Sequence, residues 1–547
     1  MQVAPAGVML GSAKRLLSLA LAVGLAACGG ITETDDGDVA DDGSTVDDGA
    51  GDDGSDPSDD ATDDASDDGD GVGGLTIVSI TPEDGAIDAA KTEPLVIAFS
   101  GDVEPASVNA ETIEVRAAGV PVPGAFEVSG AEVSFTPDVQ WHLRGAIDVV
   151  VTVDVTGPDG STLSEASASA FQVEDGAWQE PALIATGVAC CSQAQSNRRG
   201  DIVFPFPTAD DSISVVTFDA AAQAFRAAVP LETDARAFDG PIAAIDEAGS
   251  AIVGWRGLLN STPDIIGWSR FDGDQWSAGR TQEVDNLINH IGLGSDGTAL
   301  ALWGEAGDTI GVRLGPTARG WTPRTVLEPD ASSWGAREVG GQVQVVFERA
   351  GDGLFSRSLD PESGELGGPA PIGAAGADVN YVNHVALDDG GAIFSWWQPG
   401  DDEIRFGRFD AETGEWSDGR LGDGQGGSGV CENASGTRIG TFQDADGNVL
   451  AAVAEPGQGF GLAEDLGSQA GLEYAGCFLD RFGNGHGLWA GYGTNRVFWS
   501  RRLADGSWEP AVEVVESPAM RGWSSDLYGN LTIVFADGTD LYARRFR

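Results

Sequence analysis

The stretch Ser-Asp-Gly-Thr-Ala-Leu-Ala-Leu-Trp at residues 295–303 places an apolar strand after a turn glycine and ends on an aromatic side chain six residues beyond that glycine. The pattern recurs at intervals of 36 to 56 residues along residues 175–547. Self-similarity at such a period indicates a repeat architecture. Eight copies are predicted: Gly200…Phe206, Gly249…Trp255, Gly297…Trp303, Gly341…Phe347, Gly391…Trp397, Gly447…Val453, Gly483…Trp489 and Gly529…Phe535.

Each copy has room for four short strands, which in the third copy are predicted at residues 289–293, 299–303, 309–314 and 321–327. Four strands in roughly 40–50 residues are typical of one blade of a β-propeller. Residues 178–184 look like an outer strand, and the last residues look like a third strand, so the first strand is predicted to complete the last blade. We predict an all-β fold with eight four-stranded blades. The short interval between Gly447 and Gly483 leaves seven blades as the alternative.

The clearest turns read Asp446-Gly447-Asn448, Asp480-x-x-Gly483-Asn484 and Tyr528-Gly529-Asn530. They resemble the Asp-x-x-Gly-Asn propeller repeats of secreted and lipid-anchored bacterial proteins, which overlap loosely with sialidase-like propellers. The aromatic residue follows the glycine by six positions, however, whereas in the sialidase Asp-box a Trp follows by three. Tight turns that need positive φ explain the Gly and Asn, and packing between blades explains the aromatic residue.

Residues 75–174 alternate apolar and polar side chains in short runs separated by turns, which predicts an Ig-like β-sandwich of about 100 residues. Four segments resemble the bacterial Ig-like domain named after S-layer proteins: Thr81-Pro82-x-Asp84-Gly85-Ala86, Phe99-Ser100, Phe135-Thr136-Pro137 and Pro158-Asp159-Gly160. The resemblance implies a spacer or adhesion module without catalytic residues.

The N-terminus carries Lys14 and Arg15 before an apolar run that ends in Leu25-Ala26-Ala27-Cys28. A charged segment followed by a short apolar run is typical of a secretory signal. The ending resembles the lipobox of bacterial lipoproteins, which implies a signal peptide at residues 1–27 and lipidation of Cys28. We therefore expect a lipid-anchored protein of the cell envelope, with the outer membrane favoured and its two faces left open. An ordinary signal peptide is the alternative.

An acidic tether is predicted at residues 28–74, since residues 31–74 contain 17 Asp, one Glu and neither Lys nor Arg. Such a segment repels itself and cannot bury apolar area, so it is expected to be disordered. The whole chain has 87 Asp and Glu against 30 Lys and Arg, a formal net charge of −57. This charge argues against nucleic acid as a partner, because phosphates require a basic surface.

Three groups of polar residues are candidates for binding. Asn289-His290 and Asn383-His384 are predicted to share a register on innermost strands near the channel, with each His seven residues before its turn glycine. They are expected to form a polar or metal-binding ring or to be solvent-bridging structural residues. Asp401 and Asp402 contribute to a rim of acids that would bind cations or basic ligands, or form a solvated surface. Asp444, Asp446 and Asn448 form either a simple turn or the start of a Ca²⁺ loop; no other cofactor is predicted.

Four cysteines remain after Cys28 in a chain predicted to be exported, where disulfides are permitted. We favour the pairs Cys431–Cys477, in consecutive repeats, and Cys190–Cys191, which are adjacent. Four cysteines allow three pairings, so the alternatives stay open.

These features favour an envelope protein whose propeller is a binding or scaffold surface for a protein or glycan, without catalysis. The alternative is a sialidase-like or other glycan-active enzyme with its site at the channel mouth. Arg recurs on the third strand of the repeats, as in Arg270, Arg357 and Arg408. Such an enzyme would need several Arg converging on one pocket with a Tyr–Glu pair. We expect the repeated Arg to pair with carboxylates instead.

Overall fold

The computed structural model describes residues 74–547 with short gaps. The predicted signal peptide, Cys28 and nearly all of the tether lie outside the described residues, as do Cys190, Cys191 and Gly341. The gaps are residues 190–192, 211, 233–239, 259–263, 284–287, 306–307, 340–341, 350, 361–362, 364, 374–378, 388, 469–471, 492–495, 504 and 517–518. Within the described part of the chain, no helix is long and apolar enough to cross a membrane.

The first domain is a sandwich of two four-stranded antiparallel sheets, ordered β1-β2-β6-β5 and β4-β3-β7-β8. Its strands are β1 (Ile77–Thr81), β2 (Leu95–Phe99), β3 (Ile113–Ala117), β4 (Val120–Pro121), β5 (Gly124–Ser129), β6 (Glu132–Pro137), β7 (Ala146–Val151) and β8 (Ser167–Gln172), with one helical turn at Pro105–Ser107. Along β7, Ile147, Val149 and Val151 are fully buried and alternate with more exposed residues, because successive side chains point to opposite faces. The core therefore lies between the sheets.

The remaining strands form eight sheets, each a blade of antiparallel strands that runs from an innermost to an outermost strand. The first four blades are β10 (Gln195–Ser196), β11 (Ile202–Pro207), β12 (Ile213–Asp219), β13 (Ala224–Phe225) and β14 (Val229–Glu232); β15 (Ile242–Ile245), β16 (Ala251–Leu258), β17 (Asp264–Phe271) and β18 (Arg280–Glu283); β19 (His290–Leu293), β20 (Ala299–Glu305), β21 (Asp308–Leu314) and β22 (Thr325–Glu328); β23 (Ala331–Val339), β24 (Gln342–Arg349), β25 (Gly353–Ser358) and β26 (Ala370–Pro371). In the first blade both β13 and β14 pair with β12.

The last four blades complete the ring. They are β27 (Asn380–Ala386), β28 (Ala392–Gln398), β29 (Glu403–Phe409) and β30 (Trp416–Asp423); β31 (Gln425–Glu432), β32 (Arg438–Gln443), β33 (Asn448–Ala454) and β34 (Glu464–Ser468); β35 (Leu472–Leu479), β36 (Gly485–Gly491), β37 (Val497–Arg502) and β38 (Val512–Val515); β39 (Ala519–Ser525), β40 (Leu531–Asp537), β41 (Asp540–Phe546) and β9 (Ala182–Ala185).

The ring closes through β9, which comes first in the propeller sequence yet pairs antiparallel with β41 as the outer strand of the eighth blade. Trp178 extends this pairing through a bridge to Phe546, and the two rings lie 5.6 Å apart. The eight blades and the closure by the first strand are confirmed.

In the described turns between the first and second strands of a blade a positive-φ glycine is present, as predicted, but two of these glycines were assigned to the wrong residue. In the fifth blade the turn glycine is Gly390 rather than Gly391, and in the sixth it is Gly436 rather than Gly447. The corrected aromatic residues are Trp396 and Phe442. Seven of the eight turns share a glycine with φ between 79° and 89°: Gly200, Gly249, Gly297, Gly390, Gly436, Gly483 and Gly529.

The turn glycine of the sixth blade was assigned wrongly because this blade contains two turns with the same hydrogen-bond pattern. Asn433 Oδ1 accepts hydrogen bonds from the backbone N–H groups of Ser435 and Thr437, both at 3.1 Å, in the inner turn. The Asp444–Asn448 turn does the same one hairpin later, between β32 and β33. With Gly436 in place, the short interval that left seven blades open disappears.

Aromatic residues six positions after the turn glycine pack against the preceding blade. Trp255 lies in a cluster with Val203 and Val215 of the first blade, and Trp303 lies in one with Ile252 of the second. The predicted disulfide Cys431–Cys477 is present and joins the inner strands β31 and β35 of neighbouring blades. Blade-to-blade packing therefore has both an apolar and a covalent component.

The corrected register predicts that replacing each of two adjacent tryptophans lowers the free energy of unfolding by a different amount. Trp396 is 1 % exposed between blades, whereas Trp397 is only partly buried. Replacing Trp396 with Ala is expected to lower the free energy of unfolding by about 3–5 kcal/mol, from lost burial and a cavity. Trp397→Ala is the matched control and should cost clearly less. Denaturant unfolding curves of both variants measure this; equal losses would contradict the register.

Candidate functional site

The innermost strands surround a central cavity of about 280 Å³ whose lining comes from all eight blades. It reaches the face that carries the turns between first and second strands, since Asp480, Asp526 and Leu527 of those turns line it. His142 of the Ig-like domain also lines it. The cavity is thus built by both domains.

The ladder register sorts the lining into levels. In the seven blades whose last pair leaves a five-residue turn, counting back two residues from that pair on the inner strand gives one level: Ala194, Ala243, Ile291, His384, Val430, Cys477 and Trp523. All members except His384 are apolar or cysteine, and Ala194, Ile291, His384, Cys477 and Trp523 line the cavity. In the fourth blade the ladder runs further, to the pair Val339–Gln342, and Arg337 lines the cavity from this blade. A mostly apolar wall with a few placed polar groups is the usual composition of a ligand site.

Arg337 lies deep in the channel, with part of its surface open to the cavity. One guanidinium nitrogen donates to the carbonyl of its neighbour Ala336 at 3.1 Å. None of the described carboxylates forms an ion pair with it, and desolvation lowers its pKa to about 10. The fourth blade therefore places a charged group without a counter-ion inside the ring.

His290 and His384 approach Arg337 from the blades on either side. A Cβ on Gly335 would lie 3.8 Å from His290 Nδ1 and 3.9 Å from Arg337 Cζ. Burial and the charge of Arg337 lower the pKa of His290 to about 3, and the same causes hold the pKa of His384 well below its ordinary value. Both imidazoles are therefore neutral at pH 7.

The two histidines do not share a register, contrary to the sequence interpretation. His290 lies three residues before the last paired residue of its strand, and His384 lies two before. Because side chains alternate along a strand, this offset turns them to opposite faces of their blades, and so both face the fourth blade. The residue equivalent to His290 is Asn383, whose Nδ2 donates to Ser428 O of the next blade at 2.6 Å. Asn289 pairs through its backbone N–H with Leu302 O at 2.9 Å.

Arg198 spans the cavity mouth. Arg198 belongs to the first blade, and its Nε lies 3.2 Å from Glu247 Oε2 of the second blade. One of its terminal nitrogens donates a hydrogen bond to Leu387 O of the fifth blade. Glu338 lies beside this bridge. Desolvation raises its pKa to about 7, with help from the charges of Glu247 and Asp246 and against that of Arg198.

The Ig-like domain contacts the seventh and eighth blades beside the cavity. The His142 ring lies edge-on to Phe482 at 4.7 Å, and its Nε2 is 3.7 Å from Asp480 Oδ2. Burial lowers the pKa of His142 despite the nearby Asp480 charge. The backbone N–H of Leu143 donates to Tyr528 O at 2.9 Å. His142 is therefore a packing residue of the junction.

The acidic rim lies away from the histidines. Asp401 and Asp402 are exposed in the turn between β28 and β29, at the opposite end of the blade from the cavity turns. Asp401 accepts a hydrogen bond from Gln398 Nε2, and Asp402 O accepts one from Gly424 N at 2.8 Å. The structure does not bring these two carboxylates together with His290 or His384.

Both oxygens of the Asp444 carboxylate accept hydrogen bonds within its own turn. Its Oδ1 accepts from the backbone N–H groups of Asp446 and Asn448 at 3.0 and 2.8 Å, and its Oδ2 accepts from Asn448 Nδ2 at 2.9 Å. Over residues 74–547, gaps excepted, no cluster of three or more His, Cys, Asp or Glu is placed to hold a metal ion. Ca²⁺ binding stays an untested prediction.

The repeated arginines lie at blade edges. Arg270 donates to Gly297 O of the next blade at 2.7 Å, Arg357 pairs with Glu328 at 2.9 Å, and Arg408 pairs with Glu432 at 2.8 Å. His486, in the seventh blade, is buried and accepts a hydrogen bond from Trp499 Nε1 at 3.0 Å.

The sequence did not point to Arg198, Glu247, Arg337 or Glu338 as site residues. In the fourth blade the inner strand pairs as far as Val339–Gln342, which leaves two residues for the turn, whereas the turns of the other blades have five. The position of Arg337 relative to His384 could therefore not be derived from its spacing to a turn glycine.

The fold defines an eight-bladed propeller with an Ig-like domain docked beside its channel mouth. Residues 72–173 match the family model described as bacterial Ig-like domain, which confirms the Ig-like part of the sequence resemblance. No curated protein matches the chain at a significant level.

Solved propellers are similar to the chain at low identity. A structure described as the Dos1 propeller is 8 % identical with a TM-score of 0.44, over 68 % of this chain and 95 % of that one. The BP39L lectin from Burkholderia pseudomallei is 12 % identical with a TM-score of 0.40, over 61 % of this chain and 100 % of the lectin. The Cps50 (Swd1) propeller domain of Myceliophteria thermophila is 11 % identical with a TM-score of 0.36, over 67 % and 98 %. Such scores carry no argument about function.

The raised pKa of Glu338 predicts a pH dependence of stability. Between its ordinary value of 4.5 and about 7, the folded state binds more protons at this site than the unfolded state, so Glu338 lowers stability as pH rises. Glu338→Gln should therefore gain stability relative to the parent protein between pH 4.5 and 8.

The urea unfolding midpoints of the parent protein and Glu338→Gln, measured at pH 4.5 and at pH 8, test this prediction. Glu412→Gln, at an exposed carboxylate, is the control with the same charge change. Parallel pH profiles for the parent and Glu338→Gln would contradict the prediction.

Proposed function

We propose that this chain is a lipid-anchored bacterial envelope protein that binds a protein or glycan ligand in the central cavity of its propeller. The observation that carries the proposal is the joint construction of this cavity by all eight blades and His142 of the Ig-like domain. Ligand sites occur preferentially at domain interfaces and in concave apolar walls with a few convergent polar groups.

The contacts of the junction support a fixed geometry for this site. Leu143 packs into an apolar cluster with Trp523 and Phe546 of the propeller, and Gln140 Nε2 donates to Asn530 Oδ1 at 3.3 Å. In the connecting segment, Asp175 receives two hydrogen bonds from Arg501, at 2.6 and 2.8 Å. A preformed pocket avoids the entropic cost of ordering its walls on binding.

Binding without catalysis is the preferred form of the proposal. Three arginines from different blades, Arg198, Arg337 and Arg481, do line the cavity, which is one part of what the enzyme alternative requires. The described lining contains no Tyr for the required Tyr–Glu pair. Recognition chemistry is therefore better supported than a sialidase-like reaction.

A cavity-filling variant tests the binding proposal. Ala244 lines the cavity, so Ala244→Phe should abolish ligand capture by the purified protein on a panel of glycans and envelope proteins. Ala411→Phe, in an exposed turn, is the control and should bind as the parent does. Unchanged capture by Ala244→Phe would move the site elsewhere, and the acids Asp401 and Asp402 would then be replaced by Asn.

The lipid anchor is tested separately. Cys28→Ser should abolish incorporation of a labelled fatty acid and shift the protein from the membrane fraction to the soluble fraction, since the thiol is the group that would carry the lipid. Cys190→Ser, which keeps Cys28, is the control. A labelled, membrane-bound Cys28→Ser protein would contradict the anchor.

A further inference from the structure

We propose that the cavity recognises a carboxylate, which binds the guanidinium of Arg337 between the imidazoles of His290 and His384. The inference rests on the proposed function in using the same cavity, and it names the chemistry of the ligand. A free small acid and the terminal acidic sugar of a glycan would present the same carboxylate.

The first argument is that Arg337 is a deeply buried cation of the cavity without an ion pair in the described structure. A buried cation is costly unless it is paired, and within the described residues the guanidinium donates only to the carbonyl of Ala336. A planar guanidinium matches a carboxylate in a two-point contact. A buried cation without an ion pair fits a ligand that carries a carboxylate.

The second argument is that the acids of the cavity are engaged elsewhere. Glu247 pairs with Arg198 at 3.2 Å, and Glu432 pairs with Arg408 at 2.8 Å. Asp480 and Asp526 each accept hydrogen bonds from the backbone and the Asn of their own turns. Glu338 has its pKa raised to about 7, so much of it is uncharged at neutral pH. The carboxylates that line the cavity therefore do not pair with Arg337, and its guanidinium is available to a ligand.

The third argument comes from the imidazoles. His290 Nδ1 and His384 Nε2 are buried and have no hydrogen-bond partner in the described structure. Buried polar atoms without partners are rare and call for an explanation. A neutral imidazole donates through one nitrogen, so the two rings can offer donors to carboxylate oxygens held at Arg337. The ligand would satisfy groups that the protein leaves unsatisfied.

Apolar residues of the cavity wall strengthen this recognition. Ile291 and Trp523 line the same cavity as Arg337, and the low polarity of such a wall increases the attraction between opposite charges. An anion would reach this site in a protein of net charge −57 only through specific contacts, so binding is expected to be selective rather than a bulk attraction.

Calorimetric titration of the purified full-length protein tests the inference with four probes: glucuronate, acetate, glucose and inorganic phosphate. We expect glucuronate to bind and glucose to fail. Acetate binding would show that the carboxylate suffices, and glucuronate binding without acetate would show that the sugar ring contributes; both results support the proposal. Phosphate binding in preference to both carboxylates would overturn it.

Variants assign the effect to the site. Arg337→Gln should weaken glucuronate binding tenfold or more, and Arg319→Gln, at an exposed position with the same charge change, should leave it unchanged. Because Arg337 is unpaired, Arg337→Gln should not lower the thermal unfolding temperature. Unweakened binding, or a large loss of stability in Arg337→Gln, would overturn the proposal in favour of another site or a structural role.

The outcomes separate this inference from the proposed function. Capture of a neutral glycan or protein that Ala244→Phe abolishes, with no carboxylate bound, would overturn the inference and leave the binding function standing. Absence of any ligand for the parent protein would overturn both. In the supporting case, the ring-proton signals of His290 and His384 should shift when glucuronate is added to the parent protein but not to Arg337→Gln.

Discussion

The propeller depends on the pairing of β9 with β41. Every other blade takes its strands from one continuous segment, but the eighth takes its outer strand from the start of the domain. Trp178 supports this pairing by packing against Phe546 and Trp499. With β9 in place the eighth blade is complete, and the inner strands of the closed ring can enclose a cavity. Because the ring is closed, Arg337 of the fourth blade lines the same cavity as residues of the other seven blades.

Much of the fold could be predicted from the sequence because the turn glycine and its aromatic partner recur with the blade. The error in the sixth blade has a physical cause. Asn433 and Asp444 both start turns in which a side-chain oxygen accepts backbone N–H groups, and the local chemistry of such a turn does not say which two strands it joins. Only the ladder pairing distinguishes the first hairpin of a blade from the second.

The site was harder to predict than the fold. His384 could be nominated because it follows an Asn in a predicted inner strand, but Arg337 was not, because the direction of an inner-strand side chain depends on its distance from the end of the ladder. A shift of one residue reverses that direction, as the comparison of His290 with His384 shows. The charge balance of the cavity was also beyond the sequence, since it depends on partners as remote as Arg408 and Glu432. An acidic composition thus coexists with a buried arginine that has no ion pair in the described structure.

The docking of the Ig-like domain has a mechanical consequence. If the chain is held at its N-terminus, tension enters through the Ig-like sandwich, whose end is fixed to the propeller by His142, Phe482 and the paired Asp175 and Arg501. His142 and Asp175 precede β9 in the chain, and their partners Phe482 and Arg501 belong to the seventh blade. These contacts carry load into the body of the ring before it reaches the closing strand. The strand whose loss would open the ring is thereby shielded from force along the tether.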